Sequence, residues 1–231
     1  MAKHGKKHLN ALKDAPKKPV TVAEAVDFIK AHAGAKFDET VDVYMRLGAD
    51  PAKSDQPVRG TVKLPHGSGK NVRVLVFAGG AQADAAKAAG ADFVGMADMI
   101  EKITKEGWTD FDVAIATVEA MKDVRKVARF LGPRGLMPNP KTGTVTDDPA
   151  TAVKDAKAGK VDFRMDKTGN VAIVAGKRSF EASKLVDNIN AVIEAVQSAR
   201  PQALKGVFIK SITISSTMGV GVSVALSAET K

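Results

Sequence analysis

Residues 65–90, "PHGSGKNVRVLVFAGGAQADAAKAAG", mark the point at which the pattern of the chain changes. "VRVLVF" is an apolar run of strand length, and the glycines after it open an Ala-rich stretch with helical spacing. Runs of both kinds then follow one another to about Gly159. "ADFVG", "ADMIEKITKEG", "FDVAIAT", "VEAMKDVRKVARFLG" and "DPATAVKDAKAG" predict strand, helix, strand, helix and a last helix. Such alternation predicts a parallel, three-layer, Rossmann-like α/β domain.

Outside this block the grammar differs. The first 19 residues mix Lys and His and close on Pro-Lys-Lys-Pro, which predicts a flexible or loosely helical basic arm. "TVAEAVDFIKAHAG" predicts a helix with a Thr21/Glu24 capping box, an apolar stripe of Val22, Ala25, Val26 and Ile29, and an end at Gly34. "TVDVYMRL" and "VRGTVKL" read as strands around the turn-rich "GADPAKSDQP". Beyond Lys160, "VDFRM" and "NVAIV" flank "DKTG" and predict a hairpin turning at Gly169. A long helix follows, with Leu185, Ile189, Val192, Ile193 and Val196 on one face, and then two strands joined through "STMG". A two-layer α+β pattern on both sides of an α/β block predicts a split domain, residues 1–67 with 160–231, interrupted by an inserted domain, 68–159. The crossings at Pro65, His66, Gly67 and Gly159 are then a predicted hinge. One continuous mixed domain is the alternative.

Composition narrows the function. The 231 residues carry 35 Lys and Arg against 26 Asp and Glu, a net charge of +9 that favours a polyanionic partner. Residues 68–159 hold 13 basic and 12 acidic side chains, so the excess sits in the flanking segments. The absence of Cys excludes disulfides, thiolate catalysis and Cys-based zinc sites. With no secretory signal and no apolar run of membrane-spanning length, the sequence predicts a soluble, cytoplasmic chain.

Enzyme patterns fail. A phosphate-binding loop would need Gly at Leu64 and Ser or Thr at Asn71, and Gly79 and Gly80 do not fit a dinucleotide fingerprint. His4, His8, His32 and His66 lie too far apart for metal-ligand spacing. Asp147 and Asp148 read as helix caps, and Asp38 and Glu39 as neighbours pointing to opposite faces of a strand. No catalytic residue, metal or cofactor is predicted.

RNA binding fares better. Few aromatics disfavour a stacking platform, whereas phosphate and 2′-hydroxyl contacts suit the chain. In the terminal hairpin Ser211, Thr213 and Ser215 share a face leading to Thr217, and Gly221, Ser223 and Ala225 share another, predicting a sheet edge of hydroxyls and glycines without acids. The alternative is a small-residue face covered by a helix or loop. Lys36 beside Phe37 offers a phosphate contact next to an aromatic ring; the alternative is a core Phe beside a solvated Lys.

The Pro- and Gly-rich "LGPRGLMPNPKTGTV" resembles the signature of the ribosomal protein L1 family, in its bacterial form. "AKFDETVDV", "DPAKSDQPVRGTVKLPHGSGKNVRVLVFA", "AGADFVG", "DFDVAIAT", "FRMDKTGNV" and "SSTMG" fall in the order of that family. The resemblance implies a two-domain, non-catalytic protein of the large ribosomal subunit that is a monomer when free. It implies binding of 23S rRNA at a mobile stalk, assistance in releasing deacylated tRNA from the E site, and repression through the protein's own operon mRNA. A free RNA-binding regulator is the alternative, and a nucleotide-dependent enzyme a distant third. Carried onto matching positions, the RNA contacts implied are Lys36, Phe37 and Thr40, then Lys167, Thr168 and Gly169, then Ser211, Thr217, Met218 and Gly219. Arg134 and Lys141, in a stiff connector, are secondary contacts. Two departures stand out: Val220 replaces the Pro frequent in relatives, and "VAIVAGK" lacks their His and Pro.

Overall fold

The computed structural model describes residues 5–32, 34–51 and 56–226, with Lys141 described by its backbone alone. It separates into two compact units, one from Met1–Gly69 with Val161–Lys231 and the other from Lys70–Lys160. The first unit opens with α1 (Lys6–Asp14), α2 (Val22–Ala31), β1 (Thr40–Leu47) and β2 (Arg59–Lys63). The second contains β3 (Val74–Phe77), α3 (Ala81–Ala88), β4 (Phe93–Gly95), α4 (Ala97–Glu106), β5 (Val113–Ala116), α5 (Met121–Val124), α6 (Ala128–Leu131) and α7 (Pro149–Lys157). The chain returns through β6 (Lys160–Arg164), β7 (Asn170–Lys177), α8 (Ala182–Ser198), β8 (Ile209–Ser216) and β9 (Val222–Val224). The protein is a mixed α/β chain with several sheets.

In the first unit an antiparallel sheet runs β7-β1-β8-β9, and β2 pairs separately with β6. Alternation decides which face is covered. Val41, Val43, Met45 and Leu47 of β1 are buried with Ile212 and Ile214 of β8 against Leu185, Ile189, Val192 and Val196 of α8. Each such side chain contributes roughly 1.5–3 kcal/mol on full burial. The opposite face stays open, with Tyr44, Arg46, Ala172, Ser211 and Ser223 exposed. The Thr21/Glu24 capping box forms, but α2 stops at Ala31, before Gly34, where the His32 N–H bonds back to Phe28 O. The described part of the basic arm includes the helix α1; residues 1–4 lie outside the described residues.

The predicted hairpin at "DKTG" is corrected. Its turn closes, Asp166 N–H donating to Asn170 O at 2.8 Å, but the two strands then part. β6 joins β2, where the Phe163 ring lies so close to Gly60 that a Cβ there would come within 2.8 Å of it. β7 joins β1, where Val171 and Ile173 enter the core under α8.

In the second unit a parallel sheet, β4-β3-β5, has an apolar cluster on each face. Leu75 and Phe77 face Ile103, Val124 and Leu131, while Val74 and Val76 face Ala86, Val153 and Ala156. Asp148 caps α7, accepting the Thr151 N–H. The helix predicted over 118–132 is instead broken into α5, a 3₁₀ turn at Arg125–Val127, and α6. The tighter turn puts Val124 and Val127, three residues apart, into the same apolar cluster.

Candidate nucleic-acid interface

At one end of β1 the chain presents two loops side by side. Thr40 and Thr217 exchange backbone and side-chain bonds: the Thr40 N–H donates to Thr217 Oγ1 at 3.0 Å, and the Thr217 N–H donates to Thr40 O at 3.0 Å. Lys177 Nζ donates to Thr40 Oγ1 at 3.0 Å. The Gly219 N–H donates to Ser216 O, closing the turn. A Cβ at Gly219 would stand 2.3 Å from Ser216 Oγ, so the turn has no room for a larger residue. Thr217 is exposed, Met218 is 60% exposed and Phe37 53%. A Phe packed in the core is thereby excluded.

A buried carboxylate holds this pair of loops together. Glu39 is fully buried. Its oxygens accept the Ala35 N–H at 2.8 Å and the Met218 N–H at 3.3 Å, with Arg178 Nη1 at 3.9 Å. Burial pushes the Glu39 carboxyl up, but the Ser216 hydroxyl, the two backbone donors and the Arg178 charge together outweigh it and hold the group below its ordinary value. Asp38 is also used internally, accepting both the N–H and the hydroxyl of Ser179. Glu39 was not among the expected site residues. Its signal was its parity with Val41, Val43, Met45 and Leu47, the inward-facing positions of β1.

At the other end of β1 stands the turn after β6. Asp166 accepts the Thr168 N–H, the Thr168 hydroxyl and the Asn170 N–H, each at 2.8 Å. These bonds, that from Asn170 first, hold the Asp166 carboxyl below its ordinary range. Gly169 takes φ +83° and its carbonyl accepts the Leu47 N–H. Lys167 and Thr168 remain exposed. Arg46 pairs with both Asn170 and Ser211, so Ser211 belongs to this end. A groove of about 490 Å³ joins Tyr44, Arg46, Arg164, Asn170, Ser211 and Thr213.

The expected residues therefore gather in two groups at opposite ends of an open sheet face, about 20 Å apart along β1. The expected sheet edge is corrected: β8 lies between β1 and β9, and the hydroxyls line a face. The face is also not free of acid, because Asp42 pairs with Ser215 on it. Burial raises the Asp42 carboxyl, and Lys177 only partly offsets this.

The connector belongs to the second unit, whereas both groups belong to the first. Arg134 is exposed in the second unit, and the Lys141 side chain lies outside what is described. The Asn139 N–H bonds to Thr144 Oγ1, and Val145 bridges to Ala116 at the end of β5, which ties the segment to its own sheet. Gly67 and Gly159 take φ +69° and +101°. The buried Asn188 of α8 accepts the His66 N–H and donates to Gly67 O and Ala175 O, fixing this crossing to its own unit. His66 Nε2 also meets Asp187 at 3.1 Å.

The model of the ribosomal protein L1p/L10e family matches residues 29–220, which include both groups and the connector. The chain belongs to that family. It is thus a ribosomal RNA-binding protein, of a family that is structural and not enzymatic. Among the described residues no group of three or more His, Asp or Glu side chains is placed to hold a metal, and no helix is long and apolar enough to cross a membrane.

Proposed function

We propose that this chain binds 23S rRNA at the mobile stalk of the large ribosomal subunit, using both ends of the open sheet face. Release of deacylated tRNA from the E site, and repression by binding its own operon mRNA, follow in this reading from the same surface. The observation that supports it most is the exposed Thr217–Gly219 turn, locked to Lys36–Thr40 by paired threonine bonds. Bonds made within the protein fix the turn's orientation before RNA arrives, so its remaining groups can meet ribose and phosphate at little ordering cost. Lys36, Lys167 and the surrounding basic excess neutralise phosphates, while Thr168 and Ser211 offer small polar contacts at the far end and Gly169, buried with its N–H and carbonyl bonded to Asp166 and Leu47, shapes the turn that presents them. The two units act as domains hinged at Pro65–Gly67 and Gly159, with Arg134 and Lys141 as secondary contacts from the inserted one. The free protein is a cytoplasmic monomer.

The test uses a 23S rRNA stalk fragment and the full chain. Replacing Thr217 by Val and Met218 by Ala weakens binding by about 10- to 100-fold, in line with roughly 1–3 kcal/mol per direct contact. Arg134→Gln changes it much less. Equal losses from the two variants contradict the assignment. Co-sedimentation with large subunits separates a ribosomal role from that of a free regulator.

A further inference from the structure

Beside the Lys36–Thr40 segment lies a cleft of about 540 Å³, lined by Lys30, Lys36, Phe37, Asp38, Arg178 and Ser179. Three of its six residues are cations, and the anions close to them are already committed. Asp38 gives both oxygens to Ser179. Glu39, buried beneath, receives Ala35 and Met218. Arg178 Nη1 is buried 3.9 Å from Glu39, too far for a hydrogen bond, and has no hydrogen-bond partner, so any group in the cleft meets the guanidinium at its other, outer edge. The Arg178 N–H donates to Glu39 O, which fixes the residue at the rim by its backbone, and its side chain is 23% exposed. Lys30 Nζ donates to Phe180 O, and Glu181, whose charge it feels, is already paired with Lys184 at 2.8 Å. Lys36 is exposed and makes no ion pair among the described residues.

A guanidinium held by charge alone is short of acceptors, and a phosphate group supplies them in the planar geometry that it matches best. The exposed Phe37 ring gives the cleft one apolar wall, suited to a ribose or a base.

We propose that this cleft is a phosphodiester subsite in which Arg178, Lys36 and Lys30 hold one backbone phosphate of the bound RNA, with Phe37 against the adjoining nucleoside. It rests on the RNA-binding reading above and adds to it two residues, Arg178 and Lys30, and one ligand group. The subsite neutralises one phosphate beside the Thr217–Gly219 turn and so fixes the register of the strand there.

The experiment measures the affinity of the full chain for the 23S rRNA stalk fragment across a salt series. Arg178→Gln is expected to bind about tenfold more weakly, with the slope of log affinity against log salt shallower by about 0.7–0.9, one phosphate's worth of released counterions. Arg178→Lys keeps the slope and loses part of the affinity. An unchanged slope in Arg178→Gln overturns the subsite, whether or not affinity falls, because a purely structural role moves affinity alone. If Arg178→Gln does not fold, Lys30→Gln, which removes the other cation that the subsite adds, provides the slope test. Inorganic phosphate at equal ionic strength, followed through the Arg178 Nε–H resonance, distinguishes an RNA phosphate from a free ion. A shift with RNA supports the subsite, and a shift with phosphate alone but none with RNA overturns it. Failure of the wild type to bind the fragment removes the RNA reading itself, an outcome distinct from binding with an unaltered slope.

Discussion

Glu39→Gln is the sharpest perturbation of the interface, because it preserves shape and removes one acceptor. The carboxylate serves the Ala35 N–H, the Met218 N–H and Ser216 from a fully buried position. A glutamine brings one oxygen and an NH₂, so one backbone donor is left facing another donor. Losing a hydrogen bond to a charged acceptor costs about 1.5–3 kcal/mol, and local opening becomes about 10- to 150-fold more frequent. The effect concentrates where the bonds end. Amide hydrogen exchange at Ala35, Thr40, Thr217 and Met218 accelerates by that factor, while Val76 in the other unit keeps its rate. The loosened turn also binds RNA more weakly, since ordering it is now part of the binding cost. Wild-type exchange at Met218 and Ala35, or an equal acceleration at Val76, refutes the reasoning.

Three further outcomes follow from the same geometry. Gly219→Ala forces a Cβ against the buried Ser216 hydroxyl at 2.3 Å and lowers stability by about 1–3 kcal/mol, read as a lower melting temperature together with weaker RNA binding. Asn188→Leu strips partners from His66 N–H, Gly67 O and Ala175 O and costs about 2–4 kcal/mol in urea unfolding of the first unit, while the fluorescence of Trp108, the chain's single tryptophan, keeps its midpoint. Because the folded Glu39 carboxyl lies below its ordinary 4.5, its contribution is fully present above that value and disappears as pH falls through the lower folded one. The stability gap between wild type and Glu39→Gln is therefore constant around neutral pH and narrows only in acid, and a gap that widens in acid contradicts the assignment.

Much of this fold was legible because local rules and burial agree. The alternation in "TVDVYMRL" predicted a strand over Thr40–Leu47, and those are the bounds of β1. The Thr21/Glu24 capping box and the 185/189/192/196 stripe likewise combine local chemistry with the face that packs. Long-range pairing was harder to read. The "DKTG" turn has hairpin chemistry, but which strand each arm joins depends on β1 and β2, more than a hundred residues earlier in the chain. Asp38 and Glu39 read as neighbours pointing to opposite faces of a strand, and extending the β1 alternation back by one step points Glu39 inward, but two of the partners that satisfy it there lie 177 and 179 positions away. Asn188 carried a similar signal: it stands three residues after Leu185 and four before Val192, on the apolar side of α8. A polar residue on an inward stripe tells that something must satisfy it, and not what.

The central claim is that RNA meets the two ends of the open sheet face. The most direct measurement is amide and methyl NMR of the full chain titrated with a 23S rRNA stalk fragment. The largest changes are predicted at Lys36–Thr40, Lys167–Gly169, Ser211 and Thr217–Gly219, with the β3–β5 sheet nearly still. Largest changes around Arg134 and the β3–β5 sheet, with Thr217 and Met218 unmoved, would contradict it.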